Sequence, residues 1–292
     1  MSSLAPVVFS DTNLSRAWAQ ILVHAVDHPG TEISPLIVSL SGFRGQDAIP
    51  EVPAVRDALD TLLRSRNDFT VATVANTIFP QSVWRISGGD RYAFYEEYIQ
   101  ALPRYAALER LNRDGTYFSR LIAYDIDART GRRIPNLAGV PENGNQLDFV
   151  IKQLAQGKVR RDSAFQVSIF DPTRDHSTQP YKGFPCMQHL TFIRTDSGGV
   201  GLNAFYATQQ IVRKAYGNLL GLCRLGHFVA GQTGLALDHV TVFVGCEKIG
   251  GVAKKDSRLA PVLAAVTVAL AAPGTTALVE PTPTGRCVVE VQ

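Results

Sequence analysis

The sequence predicts an α+β fold in which a mixed, mostly antiparallel sheet packs with helices, and three observations carry that expectation. Helical apolar spacings dominate the first third of the chain, and short apolar strands follow one another beyond residue 165. No glycine-rich loop joins a strand to a helix at dinucleotide-binding spacing. Gly88-Gly89 and Gly250-Gly251 lack both that spacing and a following helix, which argues against a doubly wound parallel sheet with a Rossmann cofactor.

Taken in order, Asp11-Thr12-Asn13 offers a cap to a helix over 14–26, where Trp18, Ile21, Leu22 and Ala25 recur on one face. His28-Pro29-Gly30 stops it. A strand is expected over 36–43, then helices over 55–63, 69–79 and 91–102, the last ended by Pro103. Residues 125–145, rich in Gly, Pro, Asn and charge, read as a long surface loop. A helix over 146–156 follows, with Leu147, Val150, Ile151 and Leu154 on one side. Beyond it come a strand reaching the Phe170–Asp175 stretch, a turn at Cys186, the strand Met187–Arg194 and a further strand. A long helix over 209–230 and a strand over 239–245 complete the series.

The 292 residues are 45% apolar with no linker or low-complexity run, so one domain spanning 1–292 is the simplest organisation. A net charge of +3, with basic residues scattered apart from Lys158, Arg160 and Arg161, leaves no nucleic-acid footprint. The N-terminal residues carry no signal-peptide pattern, and no apolar run is long enough for a bilayer; a cytoplasmic protein without membrane contact is expected. Cysteines at 186, 223, 246 and 287 have no paired close spacing and the six histidines are dispersed, so no metal is expected.

Cys186, in Gly183-Phe184-Pro185-Cys186 between two strands, occupies a setting that suits an exposed nucleophile. Around it stand several ordered segments: Thr116-Tyr117-Phe118-Ser119-Arg120-Leu121, Gln146-Leu147-Asp148-Phe149-Val150-Ile151, Phe170-Asp171-Pro172-Thr173-Arg174-Asp175 and Ala215-Tyr216-Gly217-Asn218. Taken together, from about residue 14 to 249, they resemble the thymidylate synthase superfamily, including its pyrimidine hydroxymethylase branch.

The resemblance implies a thymidylate synthase-like fold and a one-carbon transferase. Cys186 matches the thiol that adds to a pyrimidine ring and makes the neighbouring carbon nucleophilic toward 5,10-methylenetetrahydrofolate. Such a thiol needs a cation or hydrogen-bond donor to form thiolate near neutral pH, and Arg120 and Arg174 are the sequence candidates. Glu109 matches a carboxylate that orders water and moves protons, and Tyr117 a tyrosine that assists proton removal from the ring. Asn218 matches the amide that reads the pyrimidine edge, offering a donor and an acceptor at once. A homodimer is also implied.

The sequence departs from the family by chemical role. No Arg or Lys falls between Arg16 and Arg44, where the family places an arginine loop, and Asp162-Ser163-Ala164 replaces another arginine pair, leaving Arg160 and Arg161 upstream as the candidate phosphate ligands. Ala207-Thr208-Gln209-Gln210 replaces a further arginine, with Gln210 where the family has a pterin-associated aspartate. Glu247 and Ile249 take the places of sugar-binding His and Tyr. Phe118, in place of a glycine, is expected to fill space the family leaves open. Methyl or hydroxymethyl transfer to a small heterocyclic acceptor without the usual nucleotide phosphate is the leading expectation. The alternative is a non-catalytic protein that binds a small ligand or nucleotide on the same scaffold.

Overall fold

The computed structural model describes residues 5–43, 48–134, 144–157, 161–178, 184–271 and 277–278. Its first half runs β1 (Val7–Asp11), α1 (Leu14–Asp27), β2 (Glu32–Ile33), β3 (Leu36–Ser41), β4 (Pro50–Glu51), α2 (Pro53–Ser65), α3 (Val71–Asn76), α4 (Gln81–Ile86), α5 (Arg91–Leu108), α6 (Tyr117–Ile122) and α7 (Gln146–Gln156). The remainder is β5 (Gln166–Ser168), α8 (Pro172–Asp175), β6 (Met187–Arg194), β7 (Val200–Gln210), α9 (Tyr216–Thr233), β8 (Leu237–Lys248), α10 (Ala260–Ala271) and β9 (Ala277–Leu278).

The main sheet has the order β1-β3-β8-β7-β6-β5, with β2 added to one end of β8, while β4 and β9 form a separate short pair. β1–β3 and β7–β8 are parallel; β3–β8, β2–β8, β6–β7 and β5–β6 are antiparallel. The mostly antiparallel α+β expectation therefore agrees with the observed sheet. Among the described residues no helix is long and apolar enough to cross a membrane.

α9 is buried on nearly every side, as a helix apolar all round must be. Two glycines let α3 approach it closely. A Cβ at Gly217 would stand 2.5 Å from Val74 Cβ, and one at Gly221 would stand 2.8 Å from the Ala75 carbonyl oxygen. α1 docks against the start of this helix through Trp18, whose indole N–H donates to the Ile211 carbonyl at 2.9 Å and whose ring meets Tyr216 edge-on. Asn13 caps α1 as expected, accepting from the Arg16 N–H.

Several expected boundaries move. Pro103 does not end α5, which continues to Leu108. Tyr98 and Tyr105 pack on each other across the proline turn, and this burial offsets the missing N–H. The expected 69–79 helix is regular only over α3. Pro172–Asp175 is a short helix capped by Asp171, not the end of a strand. The 209–230 helix starts late: Gln209 and Gln210 belong to β7, Ile211–Ala215 form a π turn, and α9 begins at Tyr216. Phe118 is fully buried among Phe79, Phe94 and Tyr98.

Candidate active site

The C-terminal end of β7 runs past the start of β6. Met187 opens β6 opposite Tyr206, the Ala207 N–H donates to the Cys186 carbonyl at 3.0 Å, and Thr208, Gln209 and Gln210 continue beyond. The chain then enters the π turn, an i→i+5 irregularity often found at functional sites. On the other side, the Phe118 N–H donates to the Thr77 carbonyl at 2.8 Å, tying the start of α6 to the end of α3. Thr116 caps α6 reciprocally with Ser119 and bonds the Tyr98 hydroxyl at 2.6 Å.

These elements enclose a cavity of about 530 Å³, within the range of small-molecule sites. Tyr117 from α6, Phe184 and half-buried Cys186 form one part of its lining; Thr208, Gln209, Gln210, Arg213, Lys214 and Asn218 form another. Asp68, Phe69, Val74 and Thr77 close the remainder, beside Gly115 and Thr116. Cys186, Tyr117, Asn218 and Gln210 were expected near one another from sequence, and they share this lining.

Two carboxamides there lack protein partners among the described residues. Gln209 is 6% exposed with its Nε2 unbonded, and Asn218 is 4% exposed with no side-chain hydrogen bond. Buried polar groups are normally bonded, so unpaired ones facing a cavity mark it as a place where a polar ligand gains contacts at little desolvation cost.

The electrostatics centre on Lys214. Burial pushes the Cys186 thiol up from its ordinary value, and Lys214 opposes that shift. Burial lowers the Lys214 ammonium in turn, and Cys186 is its largest supporting charge. Its Nζ also lies 5.2 Å from the centre of the Phe69 ring. Arg213 is held by Asp68 at 2.7 Å. Burial alone would raise Asp68, but hydrogen bonds from Arg213 and Arg66 hold its carboxyl below the usual range. Burial, then Cys186, raises the Tyr117 hydroxyl, which accepts from the Met187 N–H at 3.4 Å.

Of the remaining expected residues, those that are described lie off the cavity lining. Arg120 bonds Asp175 through both terminal nitrogens at 3.1 and 2.9 Å, and also reaches the Ile169 and Asp114 carbonyls. It packs on Phe184 of the cavity lining, whose ring centre lies 5.2 Å away. Arg174 pairs with Asp171 at 2.7 Å and covers Tyr124. Neither arginine is the thiol's cation; that neighbour is Lys214. Glu109 caps the C-terminal end of α5, outside the lining, although its charge reaches Lys214. Arg161 is exposed ahead of a short 3-10 turn, and Arg160 lies outside the described residues. Glu247 is fully buried, paired in register with Gln209, and its carboxyl oxygens have no partner among the described residues. Burial raises it well above the ordinary carboxylate value.

Sequence reasoning missed Lys214, Gln209, Phe184 and the Asp68–Arg213 pair. A π turn has no residue signature, so nothing in the linear order announced that 213 and 214 would face the cavity.

No family model matches this chain, and no curated protein matches it. Among solved structures, thermostable thymidylate synthase A from Bacillus subtilis is similar over 81% of this chain and 79% of that one, at 12% identity and a TM-score of 0.45.

Proposed function

We propose that the chain transfers a one-carbon unit to an electron-poor heterocycle, with Cys186 as the nucleophile. The observation that supports this reading is the shared cavity: a half-buried thiol, a tyrosine hydroxyl, an unbonded carboxamide and an ammonium face one space. Cys186 Sγ adds to a ring carbon conjugated with a carbonyl, and the ring's adjacent carbon becomes the nucleophile. Asn218 holds the ring's amide edge, donating through Nδ2 and accepting through Oδ1. Tyr117 moves the proton leaving the substituted carbon, and Glu109, whose charge reaches Lys214, orders water.

The donor expected from the motif resemblance is 5,10-methylenetetrahydrofolate. The lining fits it in one respect: the unbonded Gln209 Nε2 and the neighbouring Gln210 amide offer hydrogen bonds to a fused heterocycle. When bound, that donor supplies the one-carbon unit at the aldehyde oxidation level. No arginine but the Asp68-paired Arg213 lines the cavity among the described residues, which supports an acceptor without a nucleotide phosphate. A homodimer is part of the same reading. It is supported by Phe205, 40% exposed and stacked on Phe243 on the sheet face opposite α9.

Cys186→Ala is the decisive variant. Labelled one-carbon incorporation into an acceptor library is expected to vanish while the thermal transition is kept; turnover at the parental rate would remove covalent catalysis. A binding protein without chemistry is the second reading, favoured by the burial that raises the thiol. It predicts one tight small ligand whose affinity is the same for wild type and Cys186→Ala.

A further inference from the structure

The geometry points to Lys214 as the charge partner of Cys186 throughout the addition step, first opposite the thiolate and then opposite the ring enolate, and so to an acceptor that enters uncharged. This rests on the proposed role of Cys186 as nucleophile.

The argument is one of charge in a confined space. Among the described residues, three charge-bearing side chains line the cavity: Asp68, Arg213 and Lys214. Asp68 and Arg213 neutralise one another at 2.7 Å, and Arg66 holds the same carboxylate at 2.9 Å. Among the described residues Lys214 is left as a cation with no hydrogen bond or ion pair, set over the Phe69 ring and supported first by Cys186 and then, less strongly, by Asp68 and Glu109. An ammonium withdrawn from water requires a compensating anion, and the group facing it that can become one is Sγ of Cys186. The other titratable groups around the pair are Glu109 from the end of α5, Asp68 and Arg213 near Lys214, and Tyr117 and Tyr206 near Cys186.

The step then balances without any further reagent. The Sγ–H proton passes to the Lys214 amine, or to solvent if that amine is already protonated. The sulfur lone pair forms the S–C bond, the ring C=C π bond breaks, and its electron pair moves onto the conjugated carbonyl oxygen. One negative charge leaves sulfur and appears on oxygen inside the same cavity, so Lys214 stays protonated and the net charge of the site does not change. A phosphate dianion would add two charges where no uncommitted cation is left in the described lining.

The test is site-resolved alkylation of Cys186 by iodoacetamide, followed by mass spectrometry of its peptide from pH 5 to pH 10. It compares wild type, Lys214→Met, Lys214→Arg and Glu109→Gln, each first checked for a cooperative thermal transition. Lys214→Met is expected to slow alkylation about tenfold at neutral pH, because a thiolate profile displaced by one pH unit changes its population tenfold. Lys214→Arg is expected to recover most of the loss, a rescue that a packing role would not give. Coincident profiles for wild type and Lys214→Met overturn the inference while leaving Cys186 as nucleophile. A displacement in Glu109→Gln equal to that in Lys214→Met overturns it too, by making Glu109 the controlling charge. Cys186 unreactive at every pH removes the proposed function along with it. Inorganic phosphate serves as the second probe: it is expected to leave Cys186 alkylation unchanged, whereas protection that disappears in Lys214→Met would make Lys214 an anion subsite and overturn the assignment.

Discussion

Two polar regions lie on either side of Phe184, and they are built on opposite rules. Behind it, Arg120, Asp175, Asp171 and Arg174 are fastened to one another and to carbonyls, and Gln146 bridges Arg120 and Ser168 through their backbones. In front of it, Asn218 and Gln209 are almost as deeply buried, yet the first has no side-chain bond and the second keeps an unbonded Nε2 among the described residues. A closed network fixes a frame; open groups along a cavity wait for a ligand. The contrast separates residues that hold the site from residues that would use it, which residue type alone does not do.

The sharpest way to break the comparison is Arg120→Ala. It removes the guanidinium that offsets the buried Asp175 charge and is expected to cost about 3–5 kcal/mol by denaturant titration; a loss below about 1 kcal/mol would mean the network is ornamental. Glu247 sets the next contrast, since it is buried and has no carboxyl partner among the described residues but lies off the cavity lining. Its native carboxyl keeps a proton that the unfolded chain has lost, so its contribution to stability is full below the ordinary value of 4.5 and falls as pH rises through the native value. Glu247→Gln should therefore gain stability relative to wild type between pH 5 and pH 8, a difference read from melting curves; parallel curves would place an unseen partner on Glu247. Trp18→Phe removes the hydrogen bond to the π turn and is expected to cost about 1 kcal/mol, with a matching fall in ligand affinity if that bond positions the Lys214 wall. Asn218→Leu is the mildest. Replacing an unpaired amide by a similar apolar volume should leave stability within about 0.5 kcal/mol, while abolishing ligand binding measured by calorimetry. A large destabilisation there would show that the amide belongs to the frame after all.

Much of this frame was readable in the sequence where local chemistry and tertiary packing agree. α7 and β6 were bounded correctly at both ends, the first by its apolar spacing between Asn145 and Gly157, the second by its run of β-formers after Cys186. The errors fall where packing overrides local preference. Pro103 sits within an aromatic contact that carries the helix past it, and the Gln209-Gln210 pair has no propensity strong enough to mark a strand end. For the site, ordered motifs brought Cys186, Tyr117, Asn218 and Gln210 to one cavity. The thiol's cation was misassigned because Arg120 and Arg174 are near it in motif order, whereas the two carboxylates of the Phe170–Asp175 stretch hold them, Asp175 taking Arg120 and Asp171 taking Arg174.

The π turn at Ile211–Ala215 has one more consequence. Such a turn holds one residue beyond ordinary helical pitch, and it lies between a strand fixed in the middle of a sheet and a helix locked to α3 by glycine contacts. That surplus residue is slack. Losing a single codon there would let strand and helix both keep their places while the intervening side chains rotate by about 100°, exchanging the one that greets the sulfur. An old scaffold could thus acquire a different reagent set in one genetic step, with its interior left untouched.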